Sequence, residues 1–342
     1  MGDTAGALSS FRKAFAIRES LAVQQSGSFE AERARWADVY RISECLNSLG
    51  RQAETAGFYG RELPLAEQYA RGRREPDIQE WLAGAYYSAA ATLLEIGRVS
   101  EALDYYQRSA AIREGISEAS APLEIRTRLA GCYGSIAYVL ALQREFHRAV
   151  EAQRKAVSTM DDLVTRYPEN ATIRQFQAQA HFYLGDFLRD EGRSREALPA
   201  YRAASQMYES LSRSDPRNVL TGRFLGQSYR GTGAALVDLG RAIEGAKYLR
   251  KGLGVLESLP KENPQNLNVL SAFADSYEDL GAADEAQGRW GAALAWYRRS
   301  QQIWEDVSRQ RGSLHPEDVE KPARLRQRIE RCEQAERARR SS

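Results

Sequence analysis

The sequence is poor in the features that membrane, secreted and metal-binding proteins depend on. It has no run of about 18 apolar residues, so no membrane-spanning helix is predicted. Residues 1–25 lack the apolar core of a signal peptide. Only three cysteines are present, Cys45, Cys132 and Cys332, and they lie far apart. They predict neither a disulfide framework nor a zinc site, and we expect reduced thiols in a cytoplasmic protein.

An excess of one charge is also missing. The chain has 48 Lys and Arg against 46 Asp and Glu, which gives a net charge of +2. This balance favours neither nucleic acid nor an acidic membrane as the partner. The C-terminus is rich in arginine, and a nucleic-acid-binding regulator is therefore one alternative interpretation.

Candidate catalytic groups are few and scattered. The three histidines are His147, His181 and His315, and we interpret them as structural or surface residues. The pairs Asp161-Asp162 and Glu305-Asp306 fit solvated helix faces. The segment Gly231-Thr232-Gly233 has neither the preceding strand nor the third glycine of a dinucleotide loop, so it indicates close helix packing. We therefore predict a chain that is not an enzyme, with no catalytic residue, metal or cofactor; an enzyme built on an α/α toroid is a second alternative.

What the sequence does contain is a long repeat. Five prolines recur at intervals of 46, 46, 48 and 48 residues: Pro76, Pro122, Pro168, Pro216 and Pro264. A second series recurs at intervals of 47 to 48 residues: Gly50, Gly97, Arg144, Gly192, Gly240 and Gly288. Two series of helix-breaking positions with one period indicate a structural unit repeated about six times. Such arrays are usually binding surfaces.

One unit, residues 168–215, predicts a pair of helices. Asn170 is placed to cap the first helix, whose apolar residues recur at helical spacing over residues 173–188. Gly192 ends this helix, Ser194 is placed to cap the second, and the second helix has an apolar stripe from Ala197 onward. In the third unit Arg144 replaces the turn glycine, so we expect a looser turn there.

The other units repeat a small residue followed four positions later by a large one. The small residues are Ala102, Ala149, Ala197, Gly245 and Ala293, and the large ones are Tyr106, Gln153, Tyr201, Leu249 and Tyr297. Together with Leu184-Gly185 and Leu280-Gly281, this pattern resembles the tetratricopeptide repeat (TPR) family. The resemblance implies an all-α, right-handed superhelical solenoid of about six antiparallel helix hairpins. The units of 46 to 48 residues are longer than the family's usual repeat of about 34.

A narrower resemblance concerns the C-terminal repeat regions of bacterial serine/threonine protein kinases. It rests on the long period and on a basic final helix with a lone cysteine, as in Arg328-Ile329-Glu330-Arg331-Cys332. The chain has no kinase motif itself. The resemblance implies a regulatory or docking region of a bacterial signalling protein, with any catalytic domain outside this chain.

The two ends differ from the repeat. Gly2, Ala7, Leu8, Phe11 and Ala14 match Gly192, Ala197, Leu198, Tyr201 and Ala204. We therefore expect residues 1–312 to form the array, starting at the second helix of a pair, and residues 313–342 to form a loop and a basic capping helix over 322–340. The unpaired helix over residues 4–22 predicts self-association, or early fraying, at this edge.

In TPR proteins the first helix of each pair lines the concave face. The resemblance therefore implies a surface for a protein or peptide partner at these residues: Tyr40, Glu44, Asn47, Tyr87, Tyr138, Phe182, Asp186, Arg189, Gln227, Arg230, Asp275 and Glu278. Exposed aromatics among polar groups suit an extended or helical peptide. The predicted function is a protein-interaction scaffold without a membrane or nucleic-acid partner.

Overall fold

The computed structural model describes residues 3–24, 27–116, 122–259, 267–311 and 318–341. In these ranges the chain forms fourteen α-helices and no strand, which confirms the all-α prediction. The helices are α1 Thr4–Gln24, α2 Phe29–Ser48, α3 Gln52–Ala70, α4 Pro76–Glu95, α5 Val99–Ile116, α6 Leu123–Leu142, α7 Phe146–Arg166, α8 Ala171–Asp190, α9 Ser194–Ser214, α10 Val219–Asp238, α11 Ala242–Glu257, α12 Leu267–Glu285, α13 Trp290–Arg311 and α14 Lys321–Ser341. Gly2, Pro264 and His315 lie outside the described residues.

The helices fall into two compact units, Met1–Gln143 and Arg144–Ser342. Unit 1 contains α1 to α6 and unit 2 contains α7 to α14. We call the even-numbered helices A helices and the odd-numbered ones B helices, because each complete pair runs from an even to an odd number. Pairs α2–α3 and α4–α5 lie in unit 1, and pairs α8–α9, α10–α11 and α12–α13 lie in unit 2.

The turns between A and B helices share one backbone conformation. Gly50, Gly97, Gly192, Gly240 and Gly288 all have φ between 69° and 81°, the left-handed region that ends a helix. Arg144 adopts the same conformation with φ of 60°. The arginine thus adopts the backbone conformation that glycine takes elsewhere, and a looser turn at this position stays a prediction. A residue with a side chain in this region is uncommon and carries some strain.

The helix starts agree in part with the sequence. Asn170 caps α8, since its Oδ1 accepts a hydrogen bond of 3.1 Å from the backbone nitrogen of Ile173. Ser194 is not the cap of α9. It is the first helical residue, Arg193 holds the cap position without a side-chain bond, and the hydroxyl of Ser194 donates instead to Asp238 at 2.9 Å.

Small residues allow the helices to cross closely. The ring of Tyr201, which is 1% exposed, lies against Gly185 and Gly231, so that a Cβ at either glycine would come within 2.7 Å and 2.3 Å of it. A Cβ at Gly233 would lie 2.7 Å from the carbonyl oxygen of Gly245. The glycines of segment 231–233 therefore serve helix packing, as predicted.

Gln153 stands at a position that is aromatic in other units, and it is buried. Its Nε2 donates a hydrogen bond of 2.8 Å to the backbone carbonyl of Ala180 on the next A helix. A polar side chain is tolerated here because the amide finds a backbone partner across the helix crossing.

Candidate peptide-docking surface

The A helices within each unit are joined by side chains about one repeat apart. In unit 1 Asn47 donates to Glu95 at 3.0 Å, and the hydroxyls of Tyr87 and Ser135 lie 3.0 Å apart. In unit 2 Arg189 binds Asp238 at 2.7 Å. These partners are 48 or 49 residues apart in the chain. We call the faces of the A helices that carry these bonds the inner face of each unit.

The inner face of unit 1 begins with an exposed tyrosine. Tyr40 is 47% exposed, and a hydrogen bond to Glu44 is the main cause that raises the pKa of its hydroxyl. Asn47 connects two helices, because its Oδ1 accepts from Thr55 at 2.8 Å while its amide binds Glu95. Burial raises the pKa of Glu95. Tyr40 and Glu44 are thus in contact, and Asn47 follows one turn later on α2.

Farther along unit 1, Tyr87 is half-buried, and its ring meets the ring of Tyr106 edge-on at 5.1 Å between centroids. Tyr138 on α6 is half-buried as well. Sequence reasoning missed two tyrosines of the B helices that approach this face. Tyr59 lies beside Ser43 and Thr92, and burial raises its pKa to about 12; Tyr106 lies beside Ser135. The recurring aromatic four residues after the small position was the signal that could have found them.

Two glycines on this face have open space around them in the part of the chain that the structure describes. Gly84 on α4 and Gly131 on α6 lie 47 residues apart, and a Cβ added at either would meet no atom within 4 Å. A glycine inside a helix costs about 0.5–1 kcal/mol relative to alanine. The helices therefore accept this cost without a contact among the described residues, as the B helices do at Gly57, Gly60, Gly115 and Gly254.

The inner face of unit 2 is charged, and its charges are paired with one another. Arg230 binds Asp279 at 2.8 Å, and Arg189 lies 3.7 Å from Asp279 in addition to its bond with Asp238. These ion pairs link α8, α10 and α12. Because both guanidinium groups already have carboxylate partners, an incoming ligand would have to break existing bonds to use them.

Helix α14 adds a second set of cations. Lys321 binds Asp275 at 2.7 Å, and Arg324 holds both oxygens of Glu278 at 2.8 Å and 3.0 Å. Asp275 and Glu278 are therefore neutralised by the C-terminal helix. The helix spans Lys321–Ser341, and Lys321 and Arg324 at its start are paired within the chain.

Two carboxylates on α8 differ from the rest. Asp186 accepts a hydrogen bond of 2.6 Å from the hydroxyl of Tyr201, and burial raises its pKa to about 6. Burial also raises the pKa of Asp190 one turn later, although four cations oppose this shift, Arg324 and Lys321 among them. Neither aspartate forms an ion pair among the described residues.

Three predicted residues of unit 2 are poorly placed for a ligand. Phe182 is 3% exposed and packs against Tyr201 and Phe224, so the prediction of an exposed aromatic is wrong there. Glu278 is 5% exposed, which contradicts its prediction too. Both are covered because neighbouring helices pack over them. Gln227 is half-buried, and its Oε1 accepts from Arg223 at 3.2 Å.

The other candidate chemical groups are dispersed. His147 lies 3.0 Å from Glu191 and is largely exposed, whereas His181 lies 3.2 Å from Asp161. The three cysteines are free and buried. Across the described ranges no group of three or more possible metal ligands occurs, and no described helix has the length and apolar character needed to cross a membrane.

Comparisons with known proteins bear on the fold. No protein-family model matches the chain, and no curated protein matches its sequence. Several solved structures match: BtubC (BKLC) from P. vanneervenii has a TM-score of 0.58 at 15% identity, over 75% of this chain and 92% of that one. TPR-like repeats of a putative kinesin light chain from Podosopora anserina have a TM-score of 0.51 at 12% identity, over 65% of this chain and 95% of that one. The apo form of RapI has a TM-score of 0.54 at 11% identity, over 89% of this chain and 77% of that one. The chain therefore has the fold of a TPR-like helical solenoid.

Proposed function

We propose that this protein is an interaction scaffold that docks a peptide segment of a partner on the inner face of unit 1. The observation that carries the proposal is Tyr40, a large aromatic side chain left 47% exposed beside the hydrogen-bonding groups of Glu44 and Asn47. Aromatic side chains supply much of the affinity in protein interfaces. The corresponding aromatic in unit 2, Phe182, is used for internal packing instead.

The open space at Gly84 and Gly131 supports the same surface. Glycine in a helix is favoured where another backbone approaches closely. Here no part of the described chain makes that approach. A peptide backbone lying across α4 and α6 would fill the space and would account for both glycines.

The charges of this face favour a partner with a cationic side chain. No ion pair joins Glu44 or Glu95 to a cation in the residues that the structure describes, and burial raises the pKa of Glu95. A lysine or arginine of the partner would stabilise both carboxylates. Neighbouring tyrosine rings can also attract a cation.

A peptide-display experiment tests this proposal. The immobilised chain is exposed to a phage-displayed library of random peptides, and selected peptides are then measured individually by calorimetry. We expect enrichment of peptides that contain lysine or arginine. Tyr40→Ala should weaken their binding by about tenfold, whereas Tyr167→Ala, which removes an equally exposed tyrosine of unit 2, should not. A wild-type chain that enriches no peptide would contradict the scaffold proposal.

A double variant separates the cation preference from docking itself. Glu44→Gln with Glu95→Gln should keep the tyrosine contacts but remove the enrichment of basic residues. If the wild-type protein selects peptides with no such enrichment, the surface docks peptides but the cationic partner is wrong.

Three narrower proposals rest mainly on the sequence. The chain serves a bacterial signalling protein such as a serine/threonine kinase, it works in the cytoplasm, and it self-associates through α1. Free buried cysteines support a reducing compartment, and exposed Ile17 and Leu21 on α1 support self-association. Binding to a kinase catalytic domain from the same genome tests the first, with Tyr40→Ala as the control. Sedimentation at several concentrations, with Ile17→Ser, tests the last.

A further inference from the structure

Helix α14 is held in unit 2 by two different kinds of contact. On one side Leu325 and Cys332 are fully buried in an apolar cluster with Tyr297, Trp304 and Val307 of α13. On the other side its contacts are ionic, through Lys321 to Asp275 and through Arg324 to Glu278. The apolar contacts fix α14 to α13, and the ionic contacts determine how the start of α14 lies against the A helices.

The start of α14 also reaches the first turn of the unit. The side chain of Glu320, directly before α14, accepts a hydrogen bond of 2.6 Å from the guanidinium of Arg144, which precedes α7. These residues are 176 positions apart in the chain. The positive charges of Lys321 and Arg324 also oppose the rise that burial causes in the pKa of Asp190 on α8, which stays above its ordinary value.

These contacts place the start of α14 against the inner face of α12. Helices α8, α10 and α12 bring two guanidinium groups to this face, those of Arg189 and Arg230, and the following six carboxylates: Asp186, Asp190, Asp238, Asp275, Glu278 and Asp279. The face is therefore acidic without α14. The helix supplies the missing positive charge at Lys321 and Arg324, and it stands where a cationic segment of another protein would otherwise bind.

We propose that α14 is an autoinhibitory strap whose first turn opens and closes over the inner face of unit 2. The pair Arg144–Glu320 is the outer latch. Both side chains are largely exposed, at 67% and 75%, so the pair is weak and sensitive to salt. The apolar contacts of Leu325 and Cys332 act as the hinge that keeps α14 attached when the latch opens. An opened strap uncovers Asp275 and Glu278, the carboxylates that Lys321 and Arg324 otherwise hold.

Charge reversal tests the latch. Hydrogen exchange of residues 318–324 should become about fivefold faster in Glu320→Arg and in Arg144→Glu, and the double variant with both changes should return to the wild-type rate. Exchange of residues 329–335 should not change, because the hinge stays in place. Arg98→Glu breaks another exposed ion pair, that of Arg98 and Glu101 at the start of α5, and it should leave residues 318–324 unaffected.

A binding experiment tests what the strap covers. An oligomer of eight lysines is used as the probe, at roughly 0.05 M salt where exposed charges are little screened. Glu320→Ala removes a carboxylate, so charge alone would weaken binding of this probe. Opening of the strap predicts the opposite, binding about threefold tighter or more than to the wild type. Glu101→Ala removes a carboxylate from the control pair and should weaken binding or leave it unchanged.

The strap proposal is overturned by either of two results. One is equal exchange of residues 318–324 in wild-type protein and in both single reversals. The other is binding of the lysine oligomer to Glu320→Ala that is no tighter than to the wild type. Neither result bears on the proposal that unit 1 docks a peptide, because that proposal is tested with Tyr40→Ala and a different set of peptides.

Discussion

Replacing Gly231 by alanine should destabilise the protein, whereas the same change at Gly84 should stabilise it. Both glycines lie inside A helices, so each gains about 0.5–1 kcal/mol of helix propensity as alanine. At Gly84 the new methyl group meets nothing within 4 Å. At Gly231 it would lie 2.3 Å from the ring of Tyr201, which Gly185 confines from the other side. Overpacking of about 3 kcal/mol then outweighs the propensity gain and leaves a net loss of about 2 kcal/mol.

Urea denaturation followed by circular dichroism of the helical signal measures both changes. We expect the two variants to differ by about 3 kcal/mol in free energy of unfolding, with opposite signs relative to the wild type. In a Tyr201→Leu background the ring is absent, so Gly231→Ala should cost much less, and the double-mutant cycle isolates the contact. A Gly231→Ala protein as stable as the wild type would refute the close crossing of α9 and α10.

Three further predictions concern packing, titration and the N-terminal edge. Ala197→Trp should lower the free energy of unfolding by about 1–3 kcal/mol or more, because Ala197 is fully buried at a helix crossing. Tryptophan at the exposed position Arg195 should cost at most about 0.5 kcal/mol. Equal losses in the two variants would refute the alignment of the repeats. The pKa of Asp186 is raised from 3.8 to about 6, so its contribution to stability is full below the lower value and is lost as pH rises through the upper one. The free energy of unfolding of the wild type, measured relative to Asp186→Asn, should therefore fall as pH rises from the lower to the upper pKa. A difference between the two proteins that stays constant with pH would show that the pKa of Asp186 is not shifted. Hydrogen exchange should be faster in residues 4–22 than in 173–190, because an end helix has fewer neighbours; equal protection in a monomer would contradict this.

The sequence predicted the parts of the fold that depend on neighbouring residues. The period, the pairing of helices and the left-handed turns follow from glycine and proline positions and from apolar spacing, which act over a few residues. The contact of Gly185 with Tyr201 was also readable, because a small residue opposite a large one is the pattern of a close helix crossing. The left-handed conformation of Arg144 was not predictable from the glycine pattern, because a residue with a side chain adopts this conformation uncommonly.

The candidate site was predictable only as a set of positions. Alignment on the turn placed Tyr40 and Phe182 at the same position, yet one is exposed and the other is buried. The difference comes from the next A helix of each unit, since Phe224 packs on Phe182 at 5.6 Å between ring centroids. In the same way the ion pairs of Arg189 and Arg230 depend on carboxylates 49 residues away in the chain. Burial and pairing of long side chains are set across repeats, where a single-sequence pattern carries no information about which partner is reached.

The bonds between A helices give a physical reason why the repeat length varies so little. On the inner faces the bonded residues are 46 to 49 positions apart, as in Lys321–Asp275, Asn47–Glu95 and Arg230–Asp279, and the breaker residues of the sequence recur at 46 to 48. One extra residue inside an A helix would rotate every later side chain by about 100° and carry it away from its partner. The repeat can therefore change its chemistry only by substitution in place. That is how one inner face comes to present tyrosines and glycines while the other, on the same backbone frame, is closed by its own ion pairs.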